Sequence, residues 1–189
     1  MDKNEITGIV LAGGLSSRMG TDKGLLLYKG KRMVEYAIDI LKLHCNEILI
    51  STNNSAYKDL GYPLIPDTYK NKGPLGGIHA ALRASKNRYN LFLSCDMPHI
   101  NTEAIEVLIQ NINPNVWGLI PKYGETIEPM CGIYSQQLIT EIEERLQQGN
   151  LKLRQFILEQ PIEFVDFKKL VLKYNNLFSN MNSKSDLMH

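Results

Sequence analysis

Hydrophobic runs alternate with amphipathic segments through the first half of the chain. Largely apolar runs over residues 7–12, 47–52 and 89–95 are typical of strands that are buried on both faces of a sheet. Apolar positions at helical spacing predict helices over residues 33–43 and 73–85, the second opening on Gly73-Pro74. This alternation predicts a parallel sheet whose strands are joined by helices.

The second half continues the alternation with shorter elements. A short strand is predicted at residues 63–65, and further elements are predicted as a helix at 101–111, strands at 116–121 and 130–134, helices at 136–148 and 151–159, and short extended pieces at 164–167 and 177–180. The sequence contains no internal repeat, low-complexity tract or linker. We therefore expect one three-layer, Rossmann-like α/β domain with a mostly parallel sheet over residues 1–189.

Charge and hydropathy exclude several classes of protein. The 189 residues carry 21 basic and 20 acidic side chains, for a net charge of +1, with no long block of one sign. This balance disfavours a general nucleic-acid or membrane-surface binder, so any anion site must be local. No apolar stretch approaches the ~20 residues that cross a bilayer, and the first residues lack the apolar core of a signal peptide. We expect a cytoplasmic protein.

The cysteines and histidines give no metal-binding pattern. Cys45, Cys95 and Cys131 are widely spaced and lie in or beside apolar runs, which favours buried free thiols over disulfides. The four histidines show neither H-E-x-x-H nor Cys/His ligand spacing. A structural zinc site is therefore not expected.

Glycines and polar residues follow the predicted strands. They are Gly13, Gly14, Asn53, Asp67, Asp96 and Asn182. Ligands of open parallel sheets bind outside the carboxyl ends of the strands, so these residues converge if the strands are parallel. This edge of the sheet is the predicted site.

The loop after the first strand has the composition of an anion site. Gly13 and Gly14 let the backbone approach a ligand closely, and exposed N–H groups at such a turn bind phosphate oxygens. The same loop carries Arg18 and Lys23 and could fold over a triphosphate. Arginine suits a bidentate phosphate contact, and lysine supplies a point charge. The loop matches neither a P-loop nor a dinucleotide fingerprint. A glycine turn with two solvated cations is the alternative.

These motifs resemble those of the nucleotidyltransferases, and most closely the molybdenum cofactor guanylyltransferases. The resemblance rests on Leu11-Ala12-Gly13-Gly14-x-Ser16-Ser17-Arg18-Met19-Gly20-x-Asp22-Lys23, Pro66-Asp67, Gly73-Pro74-Leu75-Gly76-Gly77-Ile78, Ser94-Cys95-Asp96-Met97-Pro98, Gly149-x-x-x-Leu153-Arg154-x-Phe156 and Phe178-x-Asn180-x-Asn182. Their order and spacing agree over nearly the whole chain.

The resemblance implies transfer of GMP from GTP to the phosphate of molybdenum-molybdopterin, with Mg2+ as cofactor. It makes Asp96 the metal ligand, which suits a hard carboxylate at a strand end, although a turn or capping aspartate is the alternative. Lys23 takes the role of the phosphate-contacting lysine. GTP is expected in the amino half and molybdopterin towards the carboxyl half. Proteins of cofactor synthesis and apo-molybdoenzymes are the expected transient partners.

Other expected nucleotide contacts follow the same resemblance. Leu11, Ala12 and Gly13 would present backbone groups to the base or ribose. Asp67 would accept from the guanine edge or a ribose hydroxyl, with a turn aspartate as the alternative. The relatives often have an asparagine where Ser51 aligns, so Ser51 and Asn53 are both candidates. The Gly73–Gly77 stretch would present backbone near the nucleotide or make a tight helix start.

Three residues are candidates for binding molybdopterin. Asn180 and Asn182 would project the same way from an extended segment, and would hold the pterin-bearing substrate or complete the metal shell. Asn182 could instead lead into a helix capped by residues 183–186. Arg154 would meet the molybdopterin phosphate, or lie as a solvated arginine on a helix face.

Two rival functions are left open by the residues. Cytidylyltransferases acting on molybdopterin or another phosphorylated small molecule resemble this chain but usually have alanine at the position of Gly14. A non-catalytic adaptor that binds nucleotide and delivers the cofactor is the rival of another class. Lys23 and Asp96 together disfavour the adaptor, because a passive binder has less need of a metal-bound phosphate clamp.

Overall fold

An eight-stranded sheet forms the centre of the molecule. The structure, a computed structural model, describes residues 5–13, 22–181 and 186. Its strands are β1 (Ile6–Leu11), β2 (Leu27–Tyr28), β3 (Lys31–Arg32), β4 (Glu47–Ser51), β5 (Leu64–Ile65), β6 (Tyr89–Ser94), β7 (Gly118–Tyr123), β8 (Thr126–Ile127), β9 (Cys131–Ser135) and β10 (Ile162–Asp166). Its helices are α1 (Met33–His44), α2 (Gly73–Ala84), α3 (Thr102–Gln110), α4 (Ile139–Gln148), α5 (Leu153–Glu159) and α6 (Lys168–Lys173).

The sheet is mixed, and its parallel part holds the strand ends that sequence reasoning singled out. The strand order is β10-β7-β9-β6-β1-β4-β5, with β8 paired to β7, and the small β2–β3 hairpin is separate. Strand β1 is parallel to both β4 and β6, and β4 is parallel to β5. Strand β9 runs antiparallel between β6 and β7. The carboxyl ends of β5, β4, β1, β6 and β7 therefore lie along one edge of the sheet.

Helices cover both faces of the sheet, which gives the three expected layers. One core cluster packs α1, α3 and α6 against the sheet through side chains such as Val34, Ile105 and Leu170. The other packs α2, α4 and α5 through side chains such as Ile78, Ile142 and Phe156. The predicted α/β fold class is confirmed.

Two features differ from the sequence prediction. Residues 177–180 were expected to be extended, but Leu177 and Phe178 lie in two successive turns, in which Leu177 N donates to Tyr174 O and Ser179 N to Asn176 O, and residues 179–180 belong to no strand. Leu177 and Phe178 are buried although they lie in turns, so their apolar side chains gave the sequence pattern of a short strand. Helix α6 was missed because it has only six residues and directly follows a strand.

The remaining class predictions concern the cysteines and the membrane. Cys45, Cys95 and Cys131 are buried free thiols, as expected. Burial raises the pKa of Cys95 and of Cys131, which makes both thiols inert at neutral pH. In the part of the chain that the structure describes, every helix is too short or too polar to cross a bilayer.

Candidate functional site

The carboxyl ends of β4, β1 and β6 are locked side by side. Leu11, the last residue of β1, is in register with Ser51 on one side and Ser94 on the other. Beyond the strands, Ala12 N donates to Ser51 O at 3.0 Å, and Cys95 N donates to Leu11 O at 3.1 Å. These bonds extend the ladder by one residue, so Gly13 and Asp96 leave the sheet as neighbours.

Asp96 and Lys23 meet at this edge. Lys23 Nζ lies 3.9 Å from Asp96 Oδ2, and the two side chains are 25% and 21% exposed. Ser94 Oγ donates to Asp96 Oδ1 at 2.6 Å, which fixes the carboxylate with its other oxygen turned towards the lysine. The two residues come from segments 73 positions apart in sequence, and the fold brings a cation and an anion together with water access on one side.

Asp22 anchors the backbone that carries Lys23. Its Oδ1 accepts from Gly24 N at 3.1 Å and from the Tyr57 hydroxyl, and its Oδ2 accepts from Asn54 Nδ2 at 3.0 Å. Tyr57 is completely buried, and burial raises its pKa, so the phenol stays a proton donor. A Cβ on Gly24 would lie 2.3 Å from Tyr57 Oη, which explains glycine at this close approach. Sequence reasoning missed this anchor, since Asp22 stood in the motif without a chemical reason of its own.

Asn53 and Asp67 form a reciprocal pair beside a cavity. Asn53 Nδ2 donates to Asp67 Oδ2 at 3.0 Å, while Asp67 N donates to Asn53 Oδ1 at 2.9 Å. The cavity, about 440 Å³, is lined by Asn53, Pro66, Asp67, Lys70 and Asn71. Lys70 and Asn71 were not foreseen, because a polar loop gives no sequence signal for lining a cavity.

Ser51 does not line that cavity. Its side chain is buried, and Ser51 Oγ donates to Gly77 O at 3.3 Å. A Cβ on Gly77 would lie 2.9 Å from Ser51 Oγ, so this glycine lets α2 pack closely on β4. Of the two aligned candidates, Asn53 is therefore the one at the cavity, and close packing accounts for Gly77 in the glycine-rich helix start.

The tail of the chain reaches the same edge from the other side. Met181 N donates to Asp96 O at 2.9 Å, so Asn180, which is exposed, lies one residue from a contact with the Asp96 backbone. The expected same-side projection of Asn180 and Asn182 stays a prediction, because Asn182 lies outside the described residues. Arg154, on the exposed face of α5, donates from Nη2 to Glu125 O at 3.1 Å.

Three predicted residues are not placed by the structure. Gly14, Arg18 and Asn182 lie outside the described residues. Among the described predictions, the fold brings together Leu11, Ala12, Gly13, Lys23 and Asp96, with Asn53 and Asp67 next to them across β4.

The donor set at Asp96 fits a Mg2+ ion that is shared with substrate phosphates. No group of three or more His, Cys, Asp or Glu side chains that could hold a metal occurs within residues 5–13, 22–181 and 186. Magnesium is commonly held by one or two carboxylates and completed by waters and phosphate oxygens, so a single strand-end aspartate suffices. Asp96 would hold such an ion through the oxygen that faces Lys23.

Known proteins match this chain over most of its length. The model of the MobA-like NTP transferase domain matches residues 8–163. The chain is 37% identical to a Clostridium perfringens protein named "Probable molybdenum cofactor guanylyltransferase", over 92% of this chain and 90% of that one. It is 32% identical to a Flavobacterium johnsoniae protein of the same name, over 96% and 94%.

A solved structure shares the fold at full length. It is that of molybdopterin-guanine dinucleotide biosynthesis protein A from Archaeoglobus fulgidus, with a TM-score of 0.80 and 26% identity. The superposition covers 96% of this chain and 95% of that one. The similarity thus extends over the edge at which Lys23, Asp96 and Asp67 lie.

Proposed function

Because this chain belongs to the family of MobA-like NTP transferase domains and is a nucleotidyltransferase, we propose that it transfers GMP from GTP to the terminal phosphate of molybdenum-molybdopterin. The products are the molybdopterin guanine dinucleotide cofactor and pyrophosphate. The observation that carries the proposal is the Lys23–Asp96 pair beyond the carboxyl end of β6, where a cation and a hard anion face the same solvent-accessible edge.

Positioning and charge neutralisation account for the reaction at this site. An oxygen of the acceptor phosphate attacks the α-phosphorus of GTP, a new P–O bond forms, and the bond to the leaving pyrophosphate breaks. Both partners are anionic, so bringing them together in line supplies most of the acceleration. Lys23 offsets charge on the phosphates, and the backbone of Leu11, Ala12 and Gly13 lies against the nucleoside. No nucleophilic side chain of the protein is needed.

Asp96 would hold Mg2+ between the two halves of the site. A bound Mg2+ would act as a Lewis acid that withdraws negative charge from the α-phosphate region. Ser94 Oγ fixes Asp96 by a 2.6 Å bond, so the carboxylate is oriented before substrate arrives. Strands β1, β4 and β5 lie on one side of Asp96 and β9 and β7 on the other, which supports GTP on the first side and molybdopterin on the second.

Asp67 and the cavity beside it support recognition of guanine. Guanine offers adjacent N–H donors on its base-pairing edge, and a carboxylate accepts from both. Asn53 holds Asp67 through two hydrogen bonds and so fixes the acceptor before the base arrives. Cytosine offers one exocyclic amino donor there, so a substitution at Asp67 distinguishes GMP transfer from CMP transfer.

Asp67→Asn should lower the preference for GTP over CTP. Asparagine keeps the volume but replaces one acceptor oxygen with a donor, which disturbs both the contact with Asn53 and the guanine edge. We expect the ratio of kcat/KM for GTP to that for CTP to fall at least about tenfold. Asp39→Asn, on the exposed face of α1, is the matched control. An unchanged ratio in Asp67→Asn would leave Asp67 with a ribose contact or a turn role only.

Tyr57→Phe tests the Asp22 anchor of Lys23. The substitution removes the Tyr57 hydroxyl and leaves Asp22 with Gly24 N and Asn54 Nδ2 as partners. The free energy of unfolding should therefore fall by about 1–2 kcal/mol. The kcat for pyrophosphate release should fall about tenfold, because Lys23 is less well positioned. In Tyr89→Phe a hydrogen bond to Asn113 O is lost at the opposite end of β6. That control should lose similar stability and keep its kcat; equal kcat losses in both variants would contradict an anchoring role.

The decisive experiment is pyrophosphate release by the purified protein with GTP, Mg2+ and molybdenum-molybdopterin. Faster release with CTP would favour the cytidylyltransferase, and GTP binding without release would favour the adaptor. The proposal puts the reaction in the cytoplasm, because it consumes GTP. It also keeps proteins of cofactor synthesis and apo-molybdoenzymes as transient partners, and it assigns phosphate or pterin contacts to Arg18, Arg154, Asn180 and Asn182.

A further inference from the structure

A half-buried carboxylate, Glu128, lies on the acceptor side of Asp96 and has no role in the steps above. It follows the short strand β8 and precedes β9. The Tyr123 hydroxyl donates to Glu128 Oε1 at 2.7 Å. Among the described residues, its Oε2 takes no hydrogen bond and neither oxygen has a cationic partner. Burial raises the pKa of the Glu128 carboxyl, which the bond from Tyr123 opposes.

Backbone bonds connect Glu128 to the residues that hold Asp96. Cys131 N donates to Glu128 O at 3.1 Å, which closes a turn before β9. Inside that turn, Met130 O accepts from Ser94 N at 2.9 Å, and Ser94 is the residue that orients Asp96. The turn 128–131 is therefore fixed directly beside the strand end that carries Asp96.

The aromatic side chains around Glu128 connect it to the tail of the chain. The ring of Tyr123 stacks on Phe178, with centroids 5.6 Å apart and planes within 2° of parallel. Phe178 belongs to the same core cluster as Cys95 and Met97, the two neighbours of Asp96. Asn180 and Met181 follow directly. Glu128, Tyr123 and the tail thus form one wall on the side of Asp96 opposite to the cavity at Asp67.

The chemistry of this wall suits a flat heterocycle that donates N–H groups. Glu128 Oε2 keeps access to solvent and has no protein donor among the described residues, so it is free to accept from a ligand donor. The 2-amino-4-oxopyrimidine ring of a pterin presents two adjacent N–H donors, the 2-amino group and N3–H, and a carboxylate can accept from both. The partly exposed ring of Tyr123, stacked on the buried Phe178, supplies an aromatic group next to that carboxylate.

We propose that Glu128 is a specificity residue for the acceptor substrate, accepting hydrogen bonds from the 2-amino and N3–H groups of its pterin ring. This inference rests on the proposed function, which makes a pterin the acceptor. It places the pyrimidine edge of the pterin against the turn 128–131, while the phosphate end of the same molecule reaches Asp96. The residue then selects the acceptor and leaves GTP binding to the Asp67 side.

The first test measures binding without turnover. The full-length protein, with GTP and Mg2+ present, is titrated with 6-hydroxymethylpterin and with 6-hydroxymethyllumazine, in which an oxygen replaces the 2-amino group. We expect the wild type to bind the pterin about tenfold or more tightly than the lumazine, and Glu128→Gln to lose that preference. Glu125→Gln alters an exposed acid of the same hairpin and should keep it.

The second test measures turnover. In Glu128→Gln the KM for molybdenum-molybdopterin should rise about tenfold, while the KM for GTP stays within about twofold. Tyr123→Phe removes the hydroxyl that orients Glu128 but keeps the ring on Phe178, so we expect a smaller rise of about threefold. If Glu128→Gln does not fold, the Tyr123→Phe variant takes its place as the test. Unchanged pterin selectivity in Tyr123→Phe then overturns the inference.

The outcomes separate this inference from the proposed function. If the wild type releases pyrophosphate and Glu128→Gln keeps both its pterin preference and its KM for molybdopterin, the inference is wrong and the function stands. If pterin binding depends on Glu128 but no pyrophosphate appears, the pterin site stands and the transferase proposal is wrong. A change confined to the Mg2+ requirement would make Glu128 a metal ligand and overturn the pterin contact.

Discussion

Asp96→Ala is expected to abolish GMP transfer while the protein stays folded. The substitution removes the carboxylate that would hold Mg2+, and it removes the contact between Lys23 and Asp96. We expect kcat for pyrophosphate release to fall about a thousandfold or more, which corresponds to about 4 kcal/mol of transition-state stabilisation. Steady-state release with saturating GTP, Mg2+ and molybdopterin measures it.

Asp96→Asn separates the charge of this residue from its shape. Asparagine keeps an oxygen for the bond from Ser94 Oγ but carries no negative charge. A metal ligand should therefore lose nearly as much activity in this variant as in Asp96→Ala, and added Mg2+ should restore little of it. A residue that acts only by holding the turn would keep most of its activity as asparagine.

Asp166 supplies the matched control for both variants. It also ends a strand of the sheet, and its Oδ1 accepts at 2.9 Å from the N–H of Lys168, the first residue of α6. Asp166→Ala should cost about 1 kcal/mol of stability and leave kcat unchanged. Near-normal transfer by folded Asp96→Ala would remove Asp96 from the metal role and with it the main support for the proposed mechanism.

The parallel part of the fold was predictable because its strands are buried on both faces. Strands β1, β4 and β6 are largely apolar, and this pattern is typical of strands in a parallel sheet. Short elements were predicted less well from the local pattern of the sequence. The β2–β3 hairpin has two residues per strand, and its turn at Lys29-Gly30, with φ of 48° and 81°, carries no hydrophobic period. The tail failed for the opposite reason, because the buried apolar pair Leu177 and Phe178 resembled a short strand.

Site residues that directly follow a strand were predicted from the sequence. Site residues whose role depends on tertiary contacts were missed. Asp96 and Asp67 follow strands, so the rule for parallel sheets brought them to one edge. The Asp22–Tyr57 bond joins residues 35 positions apart, and Tyr57 is completely buried within a short irregular helix. Nothing in the sequence says that this tyrosine contacts an acid. Glu128 was missed likewise, since its burial depends on a stacked pair between β7 and the tail.

Lys23→Ala is expected to lower kcat for GMP transfer about a hundredfold to a thousandfold. The leaving pyrophosphate gains negative charge as the α-phosphate bond breaks, and removing a fixed cation or donor aimed at developing charge costs about this much in enzymes. The KM for GTP should rise less than kcat falls, because the stabilisation is largest in the transition state. Lys23→Arg restores the charge with a larger, planar group and should recover only part of the rate.

Stability distinguishes this catalytic role from a structural one. The Lys23–Asp96 contact is 3.9 Å long and about a quarter exposed, so solvent screens it and its loss should change the free energy of unfolding by less than about 1 kcal/mol. Lys42→Ala, which removes an exposed lysine of α1, should match Lys23→Ala in denaturant unfolding and retain full kcat. If Lys23→Ala lost several kcal/mol of stability together with its activity, the lysine would be holding the loop rather than the phosphates. A large fall in kcat on an unchanged unfolding curve is therefore the result that supports Lys23 as the cation facing the leaving group.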